Sequence, residues 1–260
     1  MTRPITPSFV RYGDLEGRNV FVSGGASGIG RAITTLFAQQ GARIVFVDID
    51  REAGEALVEA IHTQYGYRPV FLPCDVTDDA ALAQAIAQAA GPEKTLSVLV
   101  NNAARDLRVP MGDVTPAIWD ELVAVNLRHQ FFATQAARPF LQAAGGGSVI
   151  NFGSIAPTQG ILGLSVYNAC KAAVFGLTRT LARELGPDNI RVNSVVPGAI
   201  LTPRQLRDWI SDADRKALIE RQCLKREMVE EDVAEMVLFL ASAVSRGCTG
   251  QEFRVDGGNF

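Results

Sequence analysis

The chain has 260 residues, 47% of them hydrophobic and 20% charged, with 25 Lys and Arg against 28 Asp and Glu. A net charge of −3 offers no basic excess for a nucleic-acid backbone, and the hydrophobic fraction is too high for a disordered chain. No apolar run approaches the ~18 residues of a membrane span. The four cysteines (Cys74, Cys170, Cys223, Cys248) form no C-x-x-C pair, and His62 and His129 are the only histidines, so we expect reduced thiols, a cytoplasmic protein and no metal site.

Taken in order, residues 1–14 carry two prolines and little periodicity, and they lack the apolar core of a secretory signal. They read as an extended arm ahead of a single domain over 15–260. The first strand is expected over Asn19–Ser23, followed by Ser23-Gly-Gly-Ala-Ser-Gly-Ile-Gly30 and a helix opening at Arg31. A second strand spans Arg43–Asp48. Ala56, Leu57, Ala60 and Ile61 then share one helical stripe. A third strand covers Pro69–Pro73, and the next helix carries Ala81, Leu82, Ala85, Ile86 and Ala89 on one face, with Asp78 and Asp79 as capping signals.

Further strands are expected over Ser97–Asn101, Ser148–Phe152, Arg191–Val196 and Glu252–Val255, with Gly145–Gly147 leading into the fifth. These runs are short, β-branched and nearly continuous in apolar character, as strands covered on both faces must be. Strand alternating with helix predicts one doubly wound, Rossmann-type α/β domain: a seven-stranded parallel sheet with helices on both faces.

The glycine-rich turn between the first strand and its helix offers free backbone N–H groups and the positive end of a helix dipole to a phosphate. Gly24 permits the tight turn, and Gly28 and Gly30 allow close approach of backbone and helix. The spacing is G-x-x-x-G-x-G, so the turn alone is a weak signal. Asp48 narrows it. It follows Gly30 by eighteen residues, near the ~20 expected of a carboxylate that binds an adenosine ribose. That charge repels a 2′-phosphate, so NAD is favoured over NADP. Arg51, just beyond, reads as an exposed residue in the first turn of the next helix.

Tyr167 and Lys171 stand four apart on an expected helix and share a face. A phenol ordinarily titrates near about 10, and a neighbouring ammonium favours its phenolate, which makes a tyrosine serviceable as a general base. Ser154 lies just past a strand's C-terminal end, where open α/β sheets place their sites. It is placed to hold a substrate oxygen or to cap local backbone.

Together these residues resemble the short-chain dehydrogenase/reductase family from about Leu15 onward. SGGASGIG is similar to the family's T-G-x-x-x-G-x-G, Asp75-Val76 to its adenine-binding pair, and Asn101-Asn102-Ala103-Ala104 to its N-N-A-G. The resemblance implies a catalytic tetrad of Asn126, Ser154, Tyr167 and Lys171. It also implies cofactor contacts at Gly24, Ser27, Gly28, Ile29, Gly30, Asp48, Asp75, Val76, Asn102, Tyr167, Lys171, Pro197, Ile200 and Thr202. VNLRHQFF, SVINFGSI, RELGPDNIRVNSVVPG, TPRQ and QCLK look like the bacterial aldose 1-dehydrogenases, which oxidise the anomeric hydroxyl of a sugar to a lactone with NAD.

The family's substrate cleft is walled by three regions, here residues 105–108, 155–164 and an insertion at 201–226 that would serve as a lid. Their polar groups suit sugar hydroxyls, with Ser154, Tyr167, Arg105, Gln159 and Arg204 as substrate candidates beside Asp106 and Gln205. Trp209 and Ile210 are candidates for the lid's packing surface. The expectation is hydride transfer from C1 of a pentose or 6-deoxyhexose to NAD by a homotetramer. The family's usual interfaces fall near 118–144, 165–185 and 254–260. A polyol, a sugar acid, another secondary alcohol or a 3-oxoacyl compound is the alternative substrate, and a catalytically idle NAD-binding protein is the alternative class.

Overall fold

Seven short apolar runs become strands because each is covered on at least one face by an amphipathic helix. The computed structural model describes residues 5–8, 10–202 and 211–259. The strands are β1 (Asn19–Ser23), β2 (Arg43–Asp48), β3 (Val70–Pro73), β4 (Val98–Asn101), β5 (Gly147–Phe152), β6 (Ile190–Pro197) and β7 (Glu252–Val255). They pair in parallel in the order β3-β2-β1-β4-β5-β6-β7. Every residue of the central β1 and β4 is buried, whereas the edge strands β3 and β7 are only partly covered. The expected strands all form, with ends displaced by no more than a residue.

The helices are α1 (Gly28–Gln39), α2 (Arg51–Tyr65), α3 (Asp79–Ala89), α4 (Pro116–Val123), α5 (His129–Ala143), α6 (Ala156–Gln159), α7 (Ser165–Leu185), α8 (Asp212–Arg221) and α9 (Glu230–Ala241). Alternate strand residues face opposite layers. On one side Val20, Val22, Ile44 and Phe46 pack with Ile33, Leu36 and Phe37 of α1 and Val233 and Val237 of α9. On the other, Phe21, Val47 and Leu99 pack with Leu82 and Ile86 of α3, Ala133 and Ala137 of α5, and Leu181 of α7.

Local signals set several helix ends. Asp78 caps α3 by accepting from the Ala80 and Ala81 N–H groups, and Asp50 caps α2 through the Ala53 N–H. Helix α1 begins at Gly28, three residues before the expected Arg31, because Gly28 adopts φ +50 and turns the chain straight into the helix. The N-terminal arm is tied down at its described residues. The Thr6 N–H donates to Glu231, the Ser8 hydroxyl to Glu235, and the Gln39 amide to the Ser8 carbonyl. Between α4 and α5 the chain runs through a π-turn at Ala124–Arg128, which the sequence did not announce.

Candidate active site

The strand order reverses at β1, with β2 on one side and β4 on the other, and the segments leaving β1 and β4 part to open a crevice. Their bases are cross-tied. The Ser23 hydroxyl accepts from the N–H groups of Asn102 (3.1 Å) and Ala103 (3.2 Å), and the Asn102 amide donates to the carbonyls of Ser23 and Gly24. A β-carbon on Gly24 would lie 2.8 Å from Ala103 Cα, and one on Gly30 only 1.8 Å from the Gly24 carbonyl oxygen. Gly24 is therefore required by contact between the two loops, and Gly30 chiefly by contact within the glycine-rich turn itself.

The resulting cleft has a volume of about 1300 Å³. One end is lined by Ser27, Gly28, Ile29, Asp48, Asp75 and Val76, and the other by Ser154, Gln159, Tyr167 and Lys171. Ser27 precedes α1 without capping it through its side chain, so the first-turn N–H groups face the cleft unclaimed by the hydroxyl. Asp48 is held by the N–H groups of Ala26 (3.0 Å) and Asp50 (3.1 Å). Arg51 pairs with Glu55 along the exposed face of α2. Asp75 accepts from the N–H and hydroxyl of Thr77 at 2.8 Å each. Pro197 closes β6, Ile200 is buried, and Thr202 reaches over the phosphate loop, its Cγ2 3.4 Å from a β-carbon built on Gly28. A glycine-lined helix start at one end, a fixed carboxylate near it and room along the cleft fit a nicotinamide dinucleotide.

At the other end, Tyr167 and Lys171 are one turn apart on α7. Lys171 is buried, with Nζ donating to the Phe152 carbonyl at 2.8 Å and lying 5.7 Å from the centre of the Tyr167 ring. Burial pulls its pKa down to about 8, while Cys170 and then Asp106 act in the opposite direction. Ser154 caps local backbone as expected, its Oγ accepting from the Ala156 N–H at 3.1 Å, and the residue lines the cleft.

Asn126 sits in the π-turn and is fully buried. Its Oδ1 accepts from the Arg105 N–H, and its Nδ2 donates to the carbonyls of Arg105 and Leu122. The side chain is thus committed to clamping the turn after β4. Its backbone carbonyl accepts from Gln130 Nε2 at 3.1 Å, and a carbonyl oxygen has a second lone pair. The same Gln130 nitrogen lies 3.4 Å from the Phe152 carbonyl that holds Lys171.

His129 is also buried, with Nε2 3.0 Å from the Ala103 carbonyl. Burial first, then the nearby Lys171 charge, lowers its pKa to about 3, so the ring is neutral and supports the Asn102–Ala103 turn as a donor. Sequence reasoning missed Gln130 and His129. Their only signal was the polar pair itself inside the quoted VNLRHQFF run.

The substrate candidates divide. Gln159 is exposed at the cleft wall. Arg105 also lines the cleft, but its guanidinium is paired with Glu121, and its backbone holds Asn126. Arg204, Gln205, Trp209 and Ile210 lie outside the described residues. Among the described residues no cluster of His, Cys, Asp or Glu is arranged to hold a metal, the cysteines are unpaired, and no helix is long and apolar enough to cross a membrane.

A family profile described as "Enoyl-(Acyl carrier protein) reductase" matches residues 24–259. The chain belongs to the short-chain dehydrogenase/reductase family. It is 46% identical to a Rhizobium meliloti protein named "Probable galactose dehydrogenase", over 96% of this chain and 98% of that one. It is 45% identical to a D-xylose 1-dehydrogenase of Caulobacter vibrioides, over 95% and 97%. A solved short-chain dehydrogenase/reductase mutant from Serratia marcescens superposes with a TM-score of 0.86 at 33% identity, covering 94% of this chain and 98% of the other. The chain is accordingly a short-chain, nicotinamide-dependent dehydrogenase acting on a CH–OH group.

Proposed function

We propose that this short-chain dehydrogenase oxidises the C1 hydroxyl of a cyclic aldose to an aldonolactone with NAD. The observation that carries the reading is the Tyr167–Lys171 pair at the polar end of a dinucleotide-sized cleft, in a chain whose relatives include sugar dehydrogenases. One of those relatives is named for a hexose, which supports testing hexoses beside pentoses and 6-deoxyhexoses.

NAD, when bound, supplies the hydride acceptor; the remaining tasks fall to the chain. Tyr167 takes the proton of the C1 hydroxyl as general base. Lys171, cationic below about 8, stabilises the phenolate and would hold the nicotinamide ribose. The Ser154 hydroxyl orients the reacting sugar oxygen while its own oxygen stays fixed by the Ala156 N–H. The Asn126 carbonyl anchors a water that passes the proton outward, and Gln130 fixes that carbonyl from behind. At the far end the α1 N–H groups would hold the pyrophosphate, and Asp75 and Val76 would hold the adenine. Asn102, Pro197, Ile200 and Thr202 line the path to the nicotinamide.

Asp48 supports NAD over NADP. Its carboxylate accepts from ribose hydroxyls and repels a 2′-phosphate, and the nearby Arg51 is spent on Glu55. Four unpaired cysteines suit a reducing cytoplasm. Partly exposed Trp119, Phe131 and Phe175 on α4, α5 and α7 suit burial in a homotetramer, which light scattering checks directly. The function is tested by initial rates of NADH and NADPH formation with D-galactose, D-xylose, L-arabinose, L-fucose and L-rhamnose, with a polyol control. Saturable NADH formation with an aldose is expected. A polyol or simple secondary alcohol as the only substrate would sink the proposal.

A further inference from the structure

Six carboxylates line the cleft: Asp48, Asp50, Asp75, Asp106, Glu121 and Asp214. Asp48, Asp50 and Asp75 stand around the dinucleotide end. Glu121 is engaged by Arg105, and Asp214 closes a capping box with Ser211 at the start of α8. Asp106 differs from all five in position. It is half-buried in the turn after β4, lines the same cleft as Ser154 and Tyr167, and lies within electrostatic reach of Lys171.

Its mounting is rigid. The preceding residue, Arg105, is clamped through both its N–H and its carbonyl by the Asn126 amide. Three residues on, the Val109 N–H donates to the Gly163 carbonyl at 2.8 Å and ties this turn to the loop on the opposite wall. A carboxylate has about four lone-pair positions, so it can accept two hydroxyls while keeping a protein partner. Ile161 and Leu164 provide apolar surface nearby, suited to the C–H face of a pyranose ring.

Resting on the aldose reading, we infer that Asp106 determines sugar specificity by accepting hydrogen bonds from ring hydroxyls other than the one oxidised. Hydroxyl-to-carboxylate bonds are short and stronger than neutral ones, so the group discriminates sugars that present a hydroxyl there from those that do not. It takes no proton from the substrate itself, and its charge bears on the reaction only by favouring the Lys171 cation.

The test compares the wild type with Asp106→Asn and Asp106→Ser, using NAD and the aldose turned over fastest, together with that sugar's 2-, 3- and 4-deoxy forms. Both variants are expected to raise KM about 10- to 100-fold, the range for loss of one charge-assisted hydrogen bond. The accompanying changes should be small: kcat within about fivefold and NADH affinity within about twofold. For at least one deoxy sugar the variants' penalty should shrink by about fivefold or more, because the partner hydroxyl is already gone. A purely structural role would lower kcat, or NADH affinity, equally for every sugar. That pattern, or a KM change below about threefold, overturns the assignment. A wild type that oxidises no aldose overturns the aldose reading and this assignment with it.

Discussion

Acid should destabilise this fold through His129 by an amount that can be isolated. The ring is buried between the Ala103 carbonyl and the Lys171 charge, and its Nδ1 has no hydrogen-bond partner. Protonation would add a buried cation beside an existing one, so the native pKa falls from 6.5 to about 3. Between those values the unfolded chain binds a proton that the native state refuses. Stability is therefore intact above about 6.5 and is lost as pH falls toward about 3, at about 1.4 kcal/mol per unit.

From about pH 7.5 to about pH 4.5 the loss from this residue alone comes to about 2 to 3 kcal/mol. In His129→Gln the amide retains a neutral donor toward Ala103 but does not titrate. Urea unfolding followed by tryptophan fluorescence, at one protein concentration, gives both stabilities at both pH values. Carboxylates common to the two proteins cancel in the difference. The wild-type advantage over the variant should shrink by about 2 to 3 kcal/mol on acidification. Parallel pH profiles would refute the argument that His129 is held neutral by burial.

Two further substitutions probe the ends of the cleft. Gly30→Ala places a methyl 1.8 Å from the Gly24 carbonyl oxygen and 2.7 Å from Asn102 Nδ2. The glycine-rich turn must open and the Asn102 amide must shift, and calorimetry should show NADH binding weakened by about tenfold or more. Tyr167→Phe removes the base without altering the packing of α7. Its kcat should fall by about a thousandfold, within the span of acid–base effects, with NADH affinity nearly unchanged.

Much of the fold is visible in the residue order, because strands covered on both faces must be nearly continuous in apolar character. NVFVS and VLVN keep that character between polar ends at Asn19, Ser23 and Asn101, and are buried throughout. Asp78 likewise announced the start of α3 through a short-range bond that needs no tertiary context. The π-turn at Ala124–Arg128 could not be read this way. A single widened turn has no residue signature, and its apolar spacing merges with those of α4 and α5.

The site was partly legible for the same reasons. Spacing places Tyr167 and Lys171 on one helical face, but it does not reveal that Lys171 is fastened to the Phe152 carbonyl. Arg105 has the right chemistry for sugar hydroxyls, yet Glu121, sixteen residues away in sequence, claims its guanidinium. Asn126 stands out within its motif, but only the tertiary structure shows its amide consumed by the Arg105 backbone. Long-range pairings of this kind depend on how helices dock on the sheet, and no local pattern encodes them.

Removal of hydride from C1 of an aldose leaves an isotopic trace that labelled sugar makes visible. The enzyme is incubated with NAD and D-galactose or D-xylose deuterated at C1, and the reduced cofactor is isolated for mass spectrometry and NMR. Deuterium should appear at C4 of the nicotinamide, with an aldonolactone or its acid as the sugar product and a slower rate than with unlabelled sugar. NADH formed without deuterium, with the label still on the sugar, would contradict hydride removal from C1.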